Sequence, residues 1–136
     1  MKKIIVLTAV SSCIFFSLMA QPQLVEKVEL QPGQFGIPYE KYKLPNGLTI
    51  LLHQDHSDPV ASVMITYKVG SDREELGKTG FAHLFEHMMF QGSKHVADDE
   101  HFKIIQSAGG NMNGNTTNDR TMYFQILPSN YLETAL

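Results

Sequence analysis

The stretch Gly80-Phe81-Ala82-His83-Leu84-Phe85-Glu86-His87-Met88-Met89-Phe90 decides how this chain is read. Taken as a helix, at about 100° per residue, it places His83 and His87 about 40° apart around the axis, with Glu86 on the same side between His83 and Phe90. Phe81, Leu84, Phe85, Met88 and Met89 fall on the other side as an apolar stripe, which predicts that this face is buried in a core. The histidine face carries no Lys or Arg and is flanked by Gly80, Ala82 and Phe90, so it is expected to line a cleft.

The spacing points to a chemistry. Two imidazoles one helical turn apart can direct nitrogens at one cation from a rigid backbone, and imidazole is a preferred ligand of zinc. His83 and His87 supply two ligands, where a catalytic zinc takes three and keeps a position open for water. A carboxylate beside them is placed to accept a proton from water whose pKa the metal lowers, which makes Glu86 the candidate general base. The order His-x-x-Glu-His is the reverse of His-Glu-x-x-His and is a zinc-peptidase arrangement. Three fixed positions in five residues also arise by chance on a polar helix face, so the surrounding sequence has to decide.

A length of 136 residues, 43% of them hydrophobic, suits one modest globular domain and argues against disorder. With a formal charge of −3 and no basic patch, nothing points to nucleic acid. Residues 1–20 read as a secretory signal peptide: Lys2-Lys3, an apolar run from Ile4 to Met19, then Ala20 before Gln21-Pro22. Cleavage after Ala20 would leave no stable membrane anchor and an exported protein, periplasmic or secreted. Val10-Ser11-Ser12-Cys13 also resembles a lipoprotein cleavage box, but Ile14-Phe15-Phe16 would make an odd mature N-terminus. Cys13 is the only cysteine and leaves with the leader, so disulfides and thiolate chemistry are excluded from the mature chain.

Residues 21–38 mix Pro, Gly, Gln and charge without clear periodicity, as expected of an N-terminal arm or linker. From Tyr39 to His53, two strand-like runs flank Pro45-Asn46-Gly47 and predict a β-hairpin. Val60 to Val69 alternates as a half-buried strand, with Ala61, Val63, Ile65, Tyr67 and Val69 on one face. Thr79 is placed to cap the histidine helix. A second helix is expected from Asp98 to Ala108, with Asp98, Asp99 and Glu100 at its positive end and Gly109-Gly110 as its C-terminal cap. The turn-forming run Asn111 to Asn118 followed by Thr121 to Leu127 predicts a second hairpin, and Ser129 or Asn130 a helix cap near the end of the chain.

These features together resemble the N-terminal part of peptidase family M16, the pitrilysin, insulinase and mitochondrial-processing-peptidase group. The resemblance runs through Leu44-Pro45-Asn46-Gly47-Leu48, then Val69-Gly70-Ser71 with Glu75 and Gly77, then Thr79-Gly80 through the histidine helix to Gly92-Ser93. It continues through Gly109-Gly110, Asn113-Gly114, Thr116, Asp119, Thr121 and Tyr123, and so spans roughly residues 40–128. Ser93 and Gly114 depart mildly from the more usual Thr and Ala. The resemblance implies an α+β fold, a mainly antiparallel sheet packed with helices, with residues 39–136 as the incomplete first part of a peptidase domain. It implies one zinc ion on His83 and His87, Glu86 as general base, and a third ligand, a glutamate, beyond Leu136. It also implies an edge strand that pairs with the substrate backbone, with Asn113, Gly114 and Thr116 as substrate-binding positions.

The expected function is therefore that of a zinc endopeptidase acting on peptides or small unfolded polypeptides, the 136 residues alone being inactive, with a second M16-like domain or subunit as a partner. Two alternatives come from other classes. A non-catalytic M16-like subunit would bind peptide or an active partner; the intact His83, Glu86 and His87 argue against it. A lyase of the S-ribosylhomocysteine type shares the His-x-x-Glu-His motif but is cytosolic and uses a cysteine ligand downstream, and no cysteine follows Cys13.

Overall fold

The computed structural model describes residues 21–136; the predicted leader and Cys13 lie outside the described residues. The chain divides into two compact units at Asp55, and each is built on a three-stranded antiparallel sheet. Among the described residues no helix is long and apolar enough to cross a membrane.

The first unit holds β1 (Gln23–Val28), β2 (Tyr39–Lys43) and β3 (Thr49–Leu52), in the order β1-β2-β3. The predicted hairpin is β2 and β3, with Lys43 opposite Thr49. Its turn closes because the Leu44 N–H donates to the Leu48 carbonyl at 2.8 Å, and Gly47 takes φ 90°, a conformation that disfavours side chains. Asn46 Oδ1 accepts the Leu48 N–H at 3.0 Å. β1 lies inside the segment expected to be an arm or linker. Its pairing is interrupted by a register shift between Leu24 and Glu26, which leaves Val25 without a cross-strand partner in the ladder. Cross-strand charge complements the pairing instead: Lys27 reaches Glu40 at 3.3 Å and Lys41 reaches Glu26 at 3.7 Å.

The second unit holds β4 (Val60–Tyr67), α1 (Phe81–Phe90), α2 (Glu100–Ser107), β5 (Asn111–Thr116), β6 (Thr121–Pro128) and α3 (Leu132–Ala135). Its sheet has the order β4-β6-β5, so the predicted second hairpin, β5 and β6, leaves β5 at an edge. Ile105 of α2, Leu127 of β6 and Ala135 of α3 form the buried core, with Val63 and Met112 packed against it. The α+β antiparallel architecture is the one expected. α2 ends as predicted, with Gly109 at φ 81° and the Gly110 N–H donating to the Ile105 carbonyl at 2.9 Å. It starts later than Asp98, because Asp99 sits in the left-handed region at φ 58°, and Glu100 folds back to accept the Ala97 N–H at 2.7 Å. Neither Ser129 nor Asn130 caps α3; the chain enters it through a 3-10 turn over Ser129–Tyr131.

The orientation of α1 reverses the expectation from its apolar stripe. Phe81, Leu84, Phe85, Met88 and Met89 are all about half exposed, whereas Glu86 is 7% exposed. The face that turns inward is the i, i+4 row Ala82, Glu86 and Phe90. The sheet explains the choice. β5 offers a hydroxyl at Thr116 to receive the carboxylate, and a missing side chain at Gly114, where a Cβ would come within 3.0 Å of the Phe90 ring.

Candidate metal centre

α1 is positioned from its first turn. Thr79 does not cap it. Gly80 turns the chain at φ 95°, and the Glu74 carboxylate accepts the N–H groups of Gly80 at 2.7 Å and Ala82 at 2.8 Å. These bonds, first from Ala82, then Gly80, with Phe81 adding to them, hold the Glu74 carboxyl below its usual pKa. A carboxylate at the positive end of a helix is stabilised in the same sense. The other end is wedged by Phe90, whose ring lies 5.1 Å from that of Phe102 and 5.6 Å from that of Tyr123.

Between these anchors, His83 and His87 stand exposed on one flank, with their rings 4.7 Å apart and Nε2 to Nε2 at 3.0 Å. Two nitrogens bound to one tetrahedral zinc at about 2.0–2.1 Å would stand roughly 3.3 Å apart, so a small ring rotation fits both to one ion. The residues present therefore suit two positions of a zinc site. Among the described residues no third His, Cys, Asp or Glu joins them in a group of three.

Glu86 is held apart from that pair by the sheet. Thr116 Oγ1 donates to Glu86 Oε2 at 2.6 Å. Thr121 Oγ1 lies 3.3 Å from Thr116 Oγ1 and donates to the Val69 carbonyl at 3.0 Å. The chain just after Val69 is tied to the same hairpin, since the N–H groups of Ser71 and Asp72 donate to the carbonyls of Thr117 and Asn118 at 3.1 and 2.8 Å. Tyr123 lies near enough to feel the carboxylate: burial, then the charge of Glu86, then Tyr67, all push its phenol pKa up.

β5 carries the three predicted substrate-binding positions, and the ladder decides which backbone groups it leaves open. The Ser129 N–H donates to the Pro59 carbonyl, continuing the β4–β6 ladder, and the Thr117 N–H donates to the Arg120 carbonyl, continuing the β5–β6 ladder. Antiparallel alternation then turns the N–H and C=O groups of Asn111, Asn113 and Asn115 towards β6, and those of Met112, Gly114 and Thr116 towards the free edge. The outward Gly114 N–H donates to Asn113 Oδ1 at 2.9 Å. Thr116 thus faces the free edge with its backbone and Glu86 with its hydroxyl.

Sequence reasoning missed Glu74 and the pairing of Thr116 with Glu86. Glu74 stands in the charged run Asp72-Arg73-Glu74-Glu75, whose residue types give no sign of a helix cap. Thr121 and Tyr123 stood in the matched motif without an assigned task.

The family model described as Insulinase (Peptidase family M16) matches residues 49–136. The zinc protease PqqE of Helicobacter pylori is 38% identical over 87 residues, which cover 63% of this chain and 20% of that protein. The insulin-degrading enzyme of Mus musculus is 27% identical over 124 residues, covering 89% of this chain and 12% of that enzyme. Among solved structures, a protease from Helicobacter pylori superposes with a TM-score of 0.69 at 34% identity, covering 73% of this chain and 24% of that one. Pitrilysin superposes with a TM-score of 0.74 at 25% identity, covering 84% of this chain and 12% of that one. The chain thus spans about a quarter or less of the length of these relatives, and within that span the match shows that it belongs to the insulinase family, peptidase family M16.

Proposed function

We propose that the protein to which this chain belongs is a zinc-dependent endopeptidase that hydrolyses peptides or small unfolded polypeptides. The observation that carries the reading is the convergence of His83 and His87 Nε2 to 3.0 Å beside a buried, hydrogen-bonded Glu86. Zinc, when held there, supplies a Lewis acid that polarises the scissile carbonyl and acidifies water. Glu86 takes the proton of the attacking water at Oε1, the oxygen Thr116 leaves free, and delivers it to the departing amine. The substrate main chain adds to the free edge of β5, pairing with the outward groups of Met112, Gly114 and Thr116 once Asn113 Oδ1 releases the Gly114 N–H. The third ligand is a glutamate outside these residues, a second M16-like domain or subunit is the partner, and the leader directs export to the periplasm or beyond.

The test separates metal binding from proton transfer. In the full-length protein, Glu86→Gln keeps an oxygen for Thr116 but removes the base. Zinc content measured by atomic absorption should persist while kcat falls by about a hundred- to ten-thousandfold. His83→Ala and His87→Ala should lose zinc and activity together. The assignment is falsified if Glu86→Gln strips zinc as thoroughly as the histidine variants do.

A further inference from the structure

We infer that Thr116 is a positioning residue for Glu86, so that the strand presented to the peptide also orients the proposed base. The inference rests on the reading of Glu86 as the base. It goes further by giving Thr116 a task through its side chain that differs from backbone pairing with substrate.

Three observations carry it. Glu86 is 7% exposed, so its carboxylate needs a donor within the protein, and the Thr116 hydroxyl at 2.6 Å supplies one at charge-assisted length. The hydroxyl has a single proton, and the Glu86 carboxylate at 2.6 Å is a closer and stronger acceptor for it than Thr121 Oγ1 at 3.3 Å, which gives its own proton to the Val69 carbonyl at 3.0 Å. Thr116 and Thr121 face each other across the hairpin, and Thr121 pairs with Tyr67 on its other side, so the donor's place is set by the sheet. Helix α1 alone fixes the Cα of Glu86 but leaves the carboxylate free to rotate. The bond from β5 selects one rotamer, with Oε2 towards the sheet and Oε1 left for the proton. A base held in one orientation reacts from a larger share of its encounters, so loss of the donor lowers turnover more than affinity.

The full-length zinc protein carrying Thr116→Val tests this, because valine is close in shape and favours strands. Zinc content should be unchanged, KM should stay within about twofold, and kcat should fall about ten- to a hundredfold, the share of a hydrogen bond to a charged group. Thr116→Ser restores the hydroxyl and should recover most of kcat. A second readout uses the metal-free protein: Thr116→Val should lower Tm in the presence of Glu86 and leave it unchanged in a Glu86→Ala background. If Thr116→Val does not fold, Thr116→Ala and Thr116→Ser are compared in the same two assays. A raised KM with unchanged kcat, no recovery with Ser, or equal Tm losses in both backgrounds overturns the inference. Loss of turnover in Glu86→Gln with wild-type kcat in Thr116→Val overturns this inference alone, whereas retained turnover in Glu86→Gln overturns it together with the assignment of the base.

Discussion

Glu74 lies outside α1 and yet determines where α1 begins. Its carboxylate accepts backbone N–H groups that the first helical turn cannot pair internally, the task usually given to a side chain at the cap itself. Because the folded pKa is depressed, the stabilisation is present above the unfolded carboxylate pKa and is lost as pH falls through the lower, folded value. Glu74→Gln should therefore lower Tm at neutral pH, and the gap to wild type should close in acid, as thermal unfolding followed across the carboxylate range will show. A gap that does not change with pH would mean that the charge is irrelevant. At this scale the sequence was legible where chemistry is local: His83, Glu86 and His87 follow from helical spacing. Glu86 and Thr116 lie thirty residues apart, and no periodicity reports a bond of that range. The sequence offers Thr79 as the cap because side-chain caps are normally adjacent to the helix they serve, and Glu74 stands six residues before Gly80.

Elements were legible at their ends. Gly47 at φ 90° and Gly109 at φ 81° carry a backbone conformation that few other residues adopt, so both hairpin and helix stops appear where expected. β1 was missed because its pairing is held by complementary charge and a bulge instead of by alternation. The inward face of α1 was misread because the partner that decides it, β5, presents a hydroxyl and a glycine in place of an apolar surface. Gly70 shows how closely elements are packed behind the site. A Cβ there would lie 2.2 Å from the Thr117 carbonyl oxygen and 2.6 Å from the Asn118 backbone, atoms that cannot swing aside. Gly70→Ala should force the β4 exit away from the β5–β6 turn, costing about 1–3 kcal/mol. Denaturant unfolding measures the loss, and an unchanged midpoint would show that the two segments do not approach so closely in solution.

On the scale of the whole chain, buried apolar surface is scarce. Among the described residues only Ile105, Leu127 and Ala135 are buried hydrophobics, while the five apolar residues of α1 remain about half exposed. Such a core supports little cooperative stability, and a contiguous exposed stripe of this kind promotes association. Residues 21–136 expressed alone should bind a hydrophobic dye, unfold over a broad temperature range and self-associate in analytical ultracentrifugation. A sharp calorimetric transition from a monomer would contradict this. Fold class was readable through the resemblance to peptidase family M16, whose motifs extend over roughly residues 40–128. The separation into two units was not, because the polar run His53-Gln54-Asp55-His56-Ser57-Asp58-Pro59 reads equally as an ordinary loop between two strands.

β5 also imposes a grammar on whatever lies along it. Its outward groups recur at every second residue, at Met112, Gly114 and Thr116. A peptide that adds to this edge is read through its amides, and the shortest slip that restores the same set of bonds is two residues, about 6.5–7 Å. Prolines at alternate positions are thereby unreadable, since each removes a donor the edge requires, while prolines at the intervening positions leave the ladder bonds intact. If peptides add to this edge as proposed, discrimination lies first in the parity of their backbone, and side-chain identity enters only after that parity is met.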